Sequence, residues 1–319
     1  MYFTGMILRK IFLFFLLPFI SYPLHAQLTY NELIVQYDSA WTFKNLKLIP
    51  VKFKNNGEGG INAFANNNTI SFEEAFKTGK LNVREIVAPG GSDIGVLEIK
   101  NSSKKNVLVH SGDIITGGKQ DRAAAESIII PPGEEKNYLN VFCVEKERWD
   151  DKSKPFSYGG MADAGLRREI DVQQKQNKVW KEIDSQFTEK NIKSDTWKYT
   201  TLYKDSSHAD TAYLNFFKNK MLHSDSSFAG FVAVSGTRII NCELFGSTQL
   251  CLLDYDNLVR SYVHSISANT DLPAVSDNET RAFLDNFLKS ESQQERFAAE
   301  HGRIYKSGNT VIHLVVYGE

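Results

Sequence analysis

Apolar and polar positions alternate along LIVQY (33–37) and LKLIPVKF (46–53), the period-two pattern of half-buried strands. NNGEGG (55–60) and ANNNT (65–69) are rich in residues that tolerate positive φ and predict loops. SFEEAFKTGKL (71–81) predicts a short helix: Ser71 is placed to cap it, Glu74 follows three residues on, and Gly79 stops it. From 83 to 146 the chain reads as strand upon strand. NVREIV, GVLEIKN, NVLVHSGDIIT, ESIIIPP and YLNVFCVE are broken by APGGSD, SSKK, GGKQDR and PGEEK. Turn signals about every ten residues predict an antiparallel, sandwich-like sheet.

The pattern changes after Trp149. Residues 150–165 (DDKSKPFSYGGMADAG) read as a long polar loop, and loops of that length are usually functional or disordered. Residues 166–187 follow as a helix with Leu166, Ile170, Val179, Trp180 and Ile183 as its apolar positions and a very polar middle. Further helices are predicted over 210–222, 254–267 and 276–290, the last with Ser276 and Glu279 forming a capping box. Hairpins are predicted across Ser235-Gly236-Thr237 and over 303–318. The expected fold class is α+β: a single domain over 27–319, β-rich over 27–149 and mixed helix and hairpin over 166–319.

The first 26 residues stand apart. Arg9 and Lys10 precede an apolar run from Ile11 to Ile20, and Leu24-His25-Ala26 ends in a small residue. This is the pattern of a secretory signal peptide cleaved near Ala26, so the chain is expected to be exported, periplasmic or secreted. No later segment is long and apolar enough to span a membrane. Removing Arg9 and Lys10 takes the net charge from -1 to -3, which argues against a nucleic-acid partner. Cys143, Cys242 and Cys251 remain. Export permits a Cys242–Cys251 disulfide, and burial of all three as small hydrophobes is the alternative. No CxxC pair is present and the histidines show no helical ligand spacing, so no metal or cofactor is expected.

Two strings concentrate hydrogen-bonding side chains beside the strands: GGKQDR (117–122) and CVEKERW (143–149). A hairpin turning at Pro132-Gly133-Glu134-Glu135 would bring them together, with Ser127 near Asn140, Arg122 near Glu145 and Lys119 near Arg148. Lys119, Gln120, Asp121, Arg122, Glu145, Arg148 and Trp149 are the candidate site. Three cations face two acids there, Trp149 adds a face for stacking, and Gly117 and Gly118 let backbone approach a ligand closely. An anionic small molecule would fit, and a mutually satisfied salt-bridge node at a sheet edge is the alternative. Cys143 beside these cations raises the further reading of a thiol nucleophile. His110-Ser111-Gly112-Asp113 reads as a turn, with acid–base chemistry as its alternative.

The combination SGDIITGGKQDR, SIIIPPGEE and CVEKERW resembles the ADP-ribosylglycohydrolase- and rhodanese-phosphatase-superfamily-associated protein domain family. That family shows a G-[AG]-K-Q-[ND]-R string followed by C-x-E-x-x-R-W. Here these are Gly117 to Arg122 and Cys143 to Trp149. Val179-Trp180 and GFVAVSGTRIINCELF (230–245) add to the likeness, which runs from about residue 40 to 270. The resemblance implies a link to ADP-ribose or phosphorylated-metabolite chemistry and favours a ligand site at 119–122 and 145–149. It supplies neither a catalytic mechanism nor the ligand.

Overall fold

A computed structural model describes residues 28–54, 68–88, 91–149, 154–204, 207–225, 227–266 and 272–318. The segment read as a signal peptide and most of the two predicted loops at 55–60 and 65–69 lie outside the described residues. The longest sheet joins the two ends of the chain. Its order is β1 (Leu33–Val35), β3 (Leu46–Phe53), β13 (Phe228–Ser235), β14 (Arg238–Phe245), β16 (Thr310–Tyr317) and β15 (Gly302–Ser307), with β2 (Trp41–Phe43) also pairing with β3. Both predicted hairpins are present, and the early strand β3 pairs with β13, setting Ile49 opposite Val232.

Period-two alternation sorts the side chains of this sheet onto two buried faces. Phe231, Ala233, Leu48 and Val315 pack with helices α4 (Ser207–Leu222), α5 (Thr248–Leu253) and α6 (Tyr255–His264). Val232, Val234, Ile49 and Leu314 pack with α7 (Asp277–Asp285) and α8 (Glu291–His301). Covering both faces explains why FVAV reads as a continuous apolar run rather than an alternating one. The Ser276–Glu279 capping box forms as the sequence predicts.

A second sheet runs β12 (Lys154–Met161), β8 (Asp113–Gly118), β9 (Arg122–Ala124), β11 (Gly133–Cys143), β6 (Gly91–Asn101) and β5 (Leu81–Ala88). A three-stranded sheet, β10 (Ile128–Ile130), β7 (Asn106–Val109) and β4 (Thr69–Ser71), packs against it. Helix α1 (Phe72–Lys77) follows β4, capped by Ser71. Every strand pair except β4–β7 is antiparallel, and the class is α+β.

Three local expectations are corrected. Within the stretch read as a polar loop, 154–161 forms strand β12 against β8, and α2 (Ala164–Arg168) begins three residues later. The misleading signal is its glycines and polar residues, which suit an edge strand with a bulge at Tyr158/Gly160. The hairpin across Pro132 to Glu135 does not zip as drawn either. Ile128–Ile130 turns away to pair with Val107–Val109, and β11 pairs with β6 and β9 instead. Pro131 and Pro132 lack the N–H groups that a continuous ladder needs. The predicted helix over 166–187 is also broken. A wide turn (Glu169–Gln173) and a left-handed Gln174 separate α2 from α3 (Gln176–Glu189), where the sequence is most polar.

Where the layers meet, the core is polar. Arg167 on α2 forms a bidentate pair with Glu243 on β14, and both are fully buried. Glu243 also accepts from Tyr262 Oη at 3.1 Å and His313 Nε2 at 2.9 Å. His313 Nδ1 lies 2.8 Å from Ser127 Oγ, whose oxygen accepts the Ser111 N–H. Ser111, Tyr305 and Tyr317 all donate to Asp171. Buried networks of this kind rigidify a core and specify its packing.

Candidate functional site

The two unusual strings converge, with a register two residues from the one expected. Arg122 stands opposite Cys143 across the β9–β11 ladder, so its guanidinium reaches away from Glu145. It donates through Nε to Ile94 O at 3.2 Å and through Nη1 to Asp121 O at 3.3 Å, and it lies 3.8 Å from Glu85. Gln120, Asp121, Arg122 and Glu145 are all buried.

Arg148 is the hub. Its Nε donates to Glu145 at 2.7 Å, Nη1 to Gly118 O at 2.8 Å, and Nη2 to Gly117 O at 3.2 Å and Asp121 at 3.1 Å. The geometry explains Gly117: its φ is +113°, and a Cβ would stand 2.3 Å from Pro155 O. Its N–H donates to Asp121. Lys119 and Trp149 stand at the rim, the ammonium 5.0 Å from the ring centroid, with Trp149 49% exposed. Lysine cannot reproduce a planar fork that serves four acceptors. Arg148→Lys is therefore expected to cost about 2 kcal/mol in urea denaturation, the loss of charge-assisted hydrogen bonds at a mostly buried site.

The node also holds a remote segment. Thr196 Oγ1 donates to Glu145 at 2.9 Å, Lys198 Nζ lies 2.9 Å from Asp121, and the Tyr199 N–H donates to Val144 O. So pinned, the turn Tyr199–Tyr203 carries two phenols to Asp163, each donating to Oδ2 at 2.6 Å. Asp163 is the N-cap of α2, and its Oδ1 accepts from Leu166 N–H at 3.0 Å and Gln186 Nε2 at 3.2 Å.

A cavity of about 220 Å³ opens beside Asp163, with Arg168, Glu182, Tyr203, Arg238 and His264 in its wall. The Tyr203 and His264 rings stack at 3.9 Å, and His264 Nε2 lies 2.9 Å from Asp210. Burial holds the Glu182 carboxyl above its usual range, with the charges of Asp163, Glu169 and Glu189 adding to it against the hydrogen bond from Gln186. Burial and then the Asp163 charge push both phenols well up. Sequence reading missed this cavity. Asp163 lay in the supposed loop, although an Asp directly before a short apolar-spaced helix is an N-cap signal, and Tyr203 and His264 carry no local signal.

Cys143 is 1% exposed and burial pushes its thiol up, with Arg122 only partly opposing, the reverse of an activated nucleophile. All three cysteines are free and buried, so Cys242 and Cys251 are not bridged. His110 to Asp113 forms the expected turn, closed by the His110 N–H donating to Asp113 at 2.8 Å. Among the described residues no helix is long and apolar enough to cross a membrane.

The chain belongs to the family of the ARG and Rhodanese-Phosphatase-superfamily-associated Protein domain, whose model matches residues 34–317. No curated protein and no solved structure matches it.

Proposed function

We propose that this family member is an exported domain that binds a small polar ligand in the cavity beside Asp163. One observation carries the reading. A concave site with charged and aromatic walls is built around a carboxylate held by four donors, and the node at 117–122 and 145–149 fixes two of those donors. Preorganisation of that kind is what a binding site requires. In this reading GGKQDR and CVEKERW position the cavity wall. Both of their arginines are occupied by protein acceptors. Export rests on the signal-peptide pattern of residues 1–26.

A second reading keeps the ligand at the node, where half-buried Lys119 and exposed Trp149 would receive an anion with a flat group attached. Thermal unfolding separates the two. The purified protein is melted with ADP-ribose, nucleotides, sugar phosphates, simple anions and amino acids. A ligand at about 100 times its Kd should add roughly 2.7 kcal/mol. The cavity reading expects that shift to vanish in Tyr203→Ala or Arg238→Ala and to survive in Lys119→Ala/Trp149→Ala. Loss in the rim variant alone moves the site to the node. No shift with any compound favours a structural or protein-interaction module of the cell envelope.

A further inference from the structure

The charges around the cavity are sorted by depth. Asp163 is 3% exposed and Glu182 is half-buried, whereas Arg168, Lys190 and Arg238 are exposed, with Glu189 as the acid at that outer level. Acids line the floor and mostly cations line the mouth.

The two floor carboxylates are not equivalent. Asp163 is saturated by its capping N–H, two phenols and an amide. Glu182 accepts one hydrogen bond, 2.9 Å from Gln186 Nε2, and no cation pairs with it among the described residues. Gly165 lets both carboxylates close on the start of α2, with the Gln186 amide bridging them. A Cβ there would stand 2.8 Å from Glu182 Oε1 and 2.9 Å from Asp163 Oδ1. Gly165 does not have positive φ, so no backbone conformation requires glycine there. Its use here is that close approach, which a methyl group would push apart.

An anion pushed to this floor would face two carboxylates and be repelled. A cation would be welcomed there, but a bare amine would leave the basic mouth unanswered. From this sorting we infer that the ligand is a small zwitterion. Its ammonium group meets Glu182, the floor carboxylate with acceptor capacity left, and its carboxylate or phosphate meets Arg168 and Arg238 at the mouth. The stacked Tyr203 and His264 rings, with Lys190 Nζ over the Tyr203 ring, line the wall beside its alkyl portion. A cavity of about 220 Å³ restricts the class to molecules of amino-acid or aminoalkyl-phosphate size. This deepens the cavity reading above and rests on it.

Isothermal titration calorimetry tests the inference on the purified protein. The probes are the ω-amino acids from glycine to 6-aminohexanoate and phosphoethanolamine, beside the matching alkylamines and alkyl acids. One zwitterion should bind at least about tenfold tighter than the amine or acid of its length, the worth of one added charge-assisted contact. Glu182→Gln should weaken it about tenfold, Arg238→Ala by a similar factor, and Gly165→Ala should abolish it. Melting curves check that each variant is folded. Alkyl acids or phosphates that bind as tightly as the zwitterions, with Glu182→Gln neutral or favourable, would overturn the zwitterion while leaving the cavity reading intact. Failure of every probe to bind overturns it too. Binding untouched by both Gly165→Ala and Arg238→Ala would sink the cavity reading itself.

Discussion

Arg167→Met is expected to remove about 3–5 kcal/mol of stability, the cost of stranding a buried carboxylate. Native domains have only about 5–15 kcal/mol to lose. The side chain of Glu243 is 0% exposed, and so is that of Arg167. Burial alone would raise the Glu243 carboxyl, but the Arg167 charge and the His313 hydrogen bond outweigh it and hold the group well below the ordinary carboxylate range. A depressed carboxylate contributes stability that is complete above its unfolded pKa and lost only as pH falls through the folded one. The pair therefore stays intact through mild acid, and the variant should be destabilised throughout neutral and mildly acidic pH. Urea denaturation of Arg167→Met, Glu243→Leu and the double variant checks this. The double variant should lose less than the two single losses added together, because it leaves no unpaired charge. It will not return to wild type, since His313 and Tyr262 also lose their acceptor. Strictly additive losses would show that the two groups are not coupled.

How far the sequence shows this molecule depends on whether a feature is local. The β13–β14 hairpin is legible because alternation, Gly236 and flanking strands all sit within one window. The capping box of α7 is legible for the same reason. Convergence of the two charged strings was also within reach, since β9 and β11 pair. Their partners were not, because Glu85, Thr196 and Lys198 arrive from distant segments and decide which charges are satisfied. The Arg167–Glu243–His313 centre was beyond reading. Glu243 looks like the polar member of an alternating strand, and Arg167 like a solvated helix residue. Only packing of α2 against the long sheet turns both into core groups. The cavity was hidden twice over, by a strand that looks like a loop and by a turn that matters only through the phenols it delivers to Asp163.

Asp254→Asn should make the protein more stable at pH 8 by roughly 2–4 kcal/mol and leave it nearly unchanged at pH 4. Asp254 ends α5 and opens α6, 3% exposed. Burial pushes its carboxyl up to about 7, with the Glu73 charge adding and hydrogen bonds from Asn257 and Ser71 opposing. The nearest basic group is the imidazole of His110, whose Nε2 lies 3.4 Å away. That ring is itself buried, and burial together with His313 lowers its pKa well below the ordinary value, so it stays neutral and offers no countercharge. Asp113 is held high as well, by burial and then by the Asp254 charge. A carboxyl whose folded pKa is raised binds its proton more tightly in the native state. The native state is thus unpenalised below the unfolded value near 3.8, loses stability as pH climbs, and carries the full penalty above about 7. Asparagine removes the charge and keeps an oxygen for Asn257, which donates to Asp254 Oδ1 at 3.1 Å. Urea midpoints of both proteins from pH 4 to 8 should diverge as pH rises, with the variant curve the flatter. A variant that is weaker at every pH would mean the opposite charge state, an ionised Asp254 paired with a protonated His110, and would overturn this account of the site.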